Sequence, residues 1–138
     1  MDTREITLAS RSENITIVEK LIDELCDKYK IQEEYYGNIL IALTEAVNNA
    51  IFHGNRQDPD KNVKLKFMAS HENLVFIIED EGPGFDYENL PDPTSPENLE
   101  KPNGRGVFLM RNLADAVTFS DSGRIVEIHF NNLDKKVA

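Results

Sequence analysis

Cysteine occurs once in this chain, at Cys26, so no disulfide framework can form within it. Histidine is nearly as scarce, and His53, His71 and His129 have no second histidine, cysteine or carboxylate at metal-site spacing. No apolar run approaches the length of a membrane span, and the opening MDTREITLAS is charged where a secretory signal needs an apolar centre. A reducing cytoplasmic setting is therefore expected. Basic residues are in the minority, 15 Lys and Arg against 25 Asp and Glu, for a formal charge of -10. This argues against a nucleic-acid backbone as partner, because affinity for phosphate chains rests on clustered cations. It fits a chain that meets other proteins. A small phosphate-bearing ligand stays possible where the site supplies backbone N–H groups, a cation or an arginine.

What is present suffices for one domain over residues 1–138, with 40% hydrophobic residues to build a single core. Arg4 to Ala9 predicts a strand with Ile6 and Leu8 on one face. Ser10 and Ser12 compete to cap the next helix, and Ser10 with Glu13 has capping-box spacing. That helix extends to about Lys30 and carries a stripe of Ile15, Val18, Ile22, Leu25, Cys26 and Tyr29, which makes Cys26 a structural thiol. Val63, Leu65, Phe67 and Ala69 alternate with Lys64, Lys66 and Met68, as in a strand covered on one face. Leu74 to Ile78 is apolar throughout and is expected to be buried on both faces. Ala116 to Ser120 and Arg124 to Phe130 form a closing hairpin around Asp121-Ser122-Gly123, and Asn131 to Ala138 reads as a solvated tail.

Three stretches carry chemistry. Asn38 to Gly54 is a helix by its apolar spacing, and it stacks Glu45 and Asn49 one turn apart at the rim of the core. Gly54 ends it as a left-handed residue would. Glu45 suits a general base and Asn49 offers an amide oxygen to a hard cation such as Mg2+, although acid and amide pairs at this spacing also occur as solvated helix ends. The second stretch is Asp80-Glu81-Gly82-Pro83-Gly84. It is either an ordinary turn or a carboxylate at the edge of the core, able to accept from an exocyclic amine while Gly84 lets a flat ring approach. The third is Gly104-Arg105-Gly106 at the entry of an amphipathic helix. It is either a flexible helix entry or a place where N–H groups and a guanidinium meet an anion. His53, at the end of the first stretch, reads as a cap or a solvated side chain. Between the second and third stretches lies a polar segment with Pro91, Pro93, Pro96 and Pro102, long enough to be a functional lid or a disordered connection.

Together, EAVNNAIFHG, DEGPGFD and GRGVFLM resemble the N box and two glycine boxes of the GHKL ATPase superfamily, in order. Within it the chain is most similar to the anti-sigma factor serine kinases, which have a short lid and a reduced second glycine box holding an arginine. Gyrase-like and chaperone-like relatives need further domains, and a histidine kinase would carry its phosphoacceptor histidine on a preceding helical hairpin. The resemblance implies an α+β, two-layer α/β sandwich, with a mixed, mostly antiparallel sheet covered on one face by helices, the Bergerat or histidine-kinase-like ATPase fold. It further implies ATP and Mg2+, with Glu45 as base toward a substrate serine and Asn49 as the metal ligand. Asp80 would bind the adenine amino group, with Gly82 and Gly84 beside it, and Gly104, Arg105 and Gly106 would hold the phosphates under a flexible lid at about residues 86–104. The implied partners are a STAS-type anti-anti-sigma protein as substrate, a sigma factor held inactive, and a second copy in a homodimer. Two features depart from the pattern, the prolines of the lid and Phe108 where smaller aliphatic residues are common. Both bear on lid motion and turnover more than on nucleotide binding. The alternatives are a nucleotide-responsive module with little or no kinase activity, a kinase of STAS proteins that binds no sigma factor, and an interaction domain without nucleotide.

Overall fold

The computed structural model describes residues 2–88 and 102–135. Most of the expected lid and the last residues of the expected tail lie outside them. The chain runs β1 (Asp2–Ala9), α1 (Ile15–Lys28), α2 (Glu33–Asn48), β2 (Asn62–Ala69), β3 (Leu74–Glu79), α3 (Pro102–Leu113), β4 (Ala116–Ser120) and β5 (Ile125–Phe130). The sheet order is β1-β2-β3-β5-β4. All four pairings among the described residues are antiparallel, so the α+β sandwich is as expected but its sheet is not mixed.

Strand alternation decides which face is covered. The register aligns Leu65 with Ile78, Phe76 with Ile128 and Ile78 with Val126, and these side chains share one core with Val18 and Ile22 of α1, Ile39 and Leu43 of α2, and Met110 of α3. Each large side chain so enclosed contributes about 1.5–3 kcal/mol. The opposite face carries Lys64 and Lys66, both exposed. Ile77 falls on that open face and is only partly covered, because strands with one solvated side must turn alternate residues outward whatever their polarity. The expectation that β3 is buried on both faces therefore holds only in part.

Local signals resolved differently in three places. Ser10 does not cap α1: its hydroxyl donates to the Lys61 carbonyl at 2.6 Å, and the helix is entered through a 3-10 turn, Ser12–Asn14. Asn131 to Lys135 is not simply solvated. Leu133 is buried and its N–H donates to Glu72 O at 2.8 Å, because an apolar side chain beside an open core edge docks there. At the end of α1, Lys30 takes φ 56° and the Ile31 N–H reaches Cys26 O at 3.0 Å, a left-handed helix stop built without glycine. Cys26 is half-buried, and burial pushes its thiol up to about 11, which suits the structural role expected of it.

Candidate functional site

The helix that organises the site does not stop at Asn48. It widens into a π-helical segment, Asn49–Gly54, closed by the Asn55 N–H donating to Ala50 O at 2.8 Å. Such widened turns recur at functional sites. Gly54 is not the left-handed stop expected of it, since the positive φ values fall on Arg56 and Gln57. A side chain at Gly54 would overlap the carboxylate of Asp80. Glycine is required here for space rather than for handedness.

A cleft opens beside this segment. Asn49 and His53 line it from the helix, Asp80 and Gly84 from the β3 exit, and Phe119 and Arg124 from β4 and the turn before β5. Asn49, Asp80 and Gly84, singled out from two stretches far apart in the chain, thus meet in one cavity. Glu45, one helical turn before Asn49, and Gly106 adjoin it. A Cβ at Gly106 would stand 2.7 Å from Asn49 Nδ2, 3.1 Å from Asn49 Oδ1 and 3.2 Å from Glu45 Oε2. Gly106 is therefore the contact through which α3 reaches the acid and amide of α2.

The remaining expected residues take supporting places. Gly82 is buried, and a side chain there would overlap the Gly54 carbonyl. Its N–H donates to Asp80 Oδ1 at 2.8 Å. α3 begins at Pro102, so Gly104, Arg105 and Gly106 lie within its first turns rather than before it. Gly104 is buried and Arg105 exposed. N–H groups of a first helical turn have no carbonyl one turn back, and they favour an anion.

Asp80 is the most constrained carboxylate of the cleft. Its own N–H donates to Arg124 O at 3.0 Å. Burial raises its pKa above the ordinary carboxylate value, against the opposing pull of the Gly82 N–H and the Arg124 charge. Gly84 is glycine for a backbone reason: it sits at φ 83° and a side chain would overlap the Ser122 carbonyl. The turn Asp121–Gly123 presses against this segment, with Phe85 N–H on Ser122 O at 2.9 Å.

Sequence patterns missed several wall residues. His53 lines the cleft, and burial lowers its pKa, favouring the neutral ring. Arg124 lines it too, with its guanidinium held by Asp121 at 2.8 Å. Phe85 and Phe119 meet edge to face at 5.4 Å, and Tyr87 stacks on Phe119 at 5.0 Å. The aromatic content of these segments was a usable signal; the pairing across the chain was not. Among the described residues no group of three or more His, Cys, Asp or Glu is arranged to hold a metal ion. The donors beside Gly106 are oxygen-bearing, one carboxylate and one amide, a set that suits a hard cation completed by water and phosphate oxygens rather than a protein cage.

Comparisons with known proteins bear on the fold and the family. The family model of the histidine kinase-like ATPase domain matches residues 8–130. The serine-protein kinase RsbW of Bacillus licheniformis is 27% identical over 134 residues, covering 92% of this chain and 84% of its own. Its counterpart in Bacillus subtilis is 24% identical over 123 residues, covering 84% and 76%, and that of Oceanobacillus iheyensis 22% over 126, covering 87% and 80%. These relatives bear out the resemblance to the anti-sigma serine kinases. With all but the ends of the chain matched, the protein belongs to the histidine kinase-like ATPase domain family.

Proposed function

We propose that the chain is an ATP-dependent serine protein kinase acting as an anti-sigma regulatory factor, which phosphorylates a STAS-type anti-anti-sigma partner and sequesters a sigma factor. The observation that carries this reading is the convergence of Glu45 and Asn49 on Gly106 at one side of a cleft whose other side holds Asp80. Family membership implies ATP use, and the similarity to proteins named serine-protein kinase supports transfer to serine.

Asp80 accepts a hydrogen bond from the exocyclic amine of adenine, with Gly82 and Gly84 keeping the backbone low beneath the ring. Gly104, Arg105 and Gly106 bring N–H groups and one full positive charge to the phosphates. Asn49 supplies an oxygen ligand to Mg2+, which when bound neutralises phosphate charge. Glu45 takes the proton of the substrate hydroxyl as the serine oxygen bonds to the γ-phosphorus and the bond to the bridging oxygen breaks, releasing ADP. Arg105 offsets charge on the transferring group. The stretch at about residues 86–104 serves as the lid.

The formal charge of -10 supports protein partners rather than nucleic acid. No helix among the described residues is long and apolar enough to cross a membrane, which fits the cytoplasmic setting we propose, as a single-domain homodimer. The test is incubation with labelled ATP, Mg2+ and a cognate STAS protein. Label on a partner serine, lost with Glu45→Ala while ATP still binds, supports the kinase; ATP binding without label on any STAS partner favours the nucleotide-responsive module; label transfer without retention of a sigma factor favours a kinase serving another pathway.

A further inference from the structure

Asn55 directly follows Gly54, is 1% exposed, and has each side-chain polar atom engaged. Its Nδ2 donates to Ser10 Oγ at 2.9 Å and to Asn62 O at 3.0 Å. Its Oδ1 accepts the Glu81 N–H at 2.7 Å. Ser10, also 1% exposed, donates a hydrogen bond from its hydroxyl to Lys61 O at 2.6 Å. One amide thus joins four segments: the β1 exit, the end of the central helix, the start of β2 and the β3 exit.

We infer that Asn55 is a positioning residue that fixes the Asp80 carboxylate for recognition of the nucleotide base, an inference that rests on the reading of Asp80 given above. Three consecutive N–H groups define the β3 exit. That of Asp80 is held by Arg124 O, that of Glu81 by Asn55, and that of Gly82 by the Asp80 carboxylate itself. Gly54 closes on the carboxylate from the helix side, where no side chain fits. Among the described residues, Asn55 alone supplies a side-chain acceptor to this run of N–H groups from outside the turn. Its loss leaves the part-buried Glu81 N–H without this partner, and the turn shifts as water replaces it. A carboxylate whose orientation depends on the Gly82 N–H then loses its aim, although Asn55 touches no nucleotide.

The experiment compares affinity for ATP with that for purine riboside triphosphate, which lacks the exocyclic amine, in the full chain and its variants. Wild type is expected to prefer ATP, and Asp80→Ala to lose that preference. Asn55→Ala is expected to reduce the preference about tenfold, almost wholly through weaker ATP binding. Asn55→Asp, which keeps the acceptor but not the donors, and Ser10→Ala, which removes one bond of the Asn55 amide together with the bond to Lys61 O, are expected to reduce it about two- to threefold, and they carry the test if Asn55→Ala does not fold. A purely structural role lowers thermal stability and weakens both nucleotides alike; that outcome, with the ATP preference intact, overturns the positioning role while leaving Asp80 in place. A wild-type preference that is absent, or indifferent to Asp80, overturns the base reading and this inference with it.

Discussion

The two ends of the cleft are built in opposite ways. Around Asp80 the chain packs closely on itself: a side chain at Gly82 or Gly84 would overlap a backbone carbonyl, one at Gly54 the Asp80 carboxylate, and one at Gly123 both the ring and the carbonyl of Phe85. Successive N–H groups are all engaged there. Around Glu45 and Asn49, in contrast, two half-buried polar side chains face the opening turns of α3, where Arg105 is exposed. A base is a flat ring of fixed shape, and a rigid slot recognises it well. A transferring phosphoryl group changes charge and geometry, and side chains and helix N–H groups can follow it. The difference teaches that stability and turnover are separable here, and mutations at the two ends should divide accordingly.

The largest expected effect is at the Glu45 end. Glu45→Gln should lower phosphate transfer roughly 10²–10⁴-fold with ATP affinity nearly unchanged, as read by single-turnover transfer beside calorimetric binding. Next, Gly82→Ala at the base end should cost about 3 kcal/mol of stability by chemical denaturation, since the obstacle is the Gly54 carbonyl rather than a movable side chain. Arg105→Ala should reduce transfer by about 10²-fold, with a stability change within about 0.5 kcal/mol because the position is exposed. Were Gly82→Ala to fold normally yet lose transfer, or Glu45→Gln to unfold the chain, the contrast between the ends would fail.

The smallest effect is the most diagnostic of burial. Asp80 has its pKa raised in the folded chain, chiefly by burial, so the native state holds its proton more tightly than the unfolded state does. Stability from this group is fully present below the ordinary carboxylate value of 3.8 and is lost as pH rises through the raised folded value. Asp80→Asn, which keeps an acceptor for the Gly82 N–H, should therefore melt slightly higher than wild type at neutral pH. That advantage should vanish in acid, in thermal melts run across pH.

The same contrast explains what the sequence disclosed. Periodicity revealed α1 and β2, because burial on one face leaves a local signature in Val18, Ile22 and Leu25 or in Val63, Leu65 and Phe67. The three glycine and acid patterns marked both ends of the cleft, since close approach leaves glycines behind. What holds the base end together left no such trace. Asn55, Ser10 and the Ser122 carbonyl act through single hydrogen bonds to distant segments, and a lone Asn or Ser in a polar loop looks like any other. Gly54 was read as a handedness signal when its reason was the Asp80 carboxylate. Ser10 was read as a cap when its partner was Lys61.

Calorimetric titration of the full chain with ATP in the presence of Mg2+ tests the shared cleft most directly. The account predicts one saturable site per chain, weakened in Asp80→Ala and retained at full affinity in Glu45→Ala. Heat of binding that is absent in wild type, or unchanged by Asp80→Ala, would contradict it.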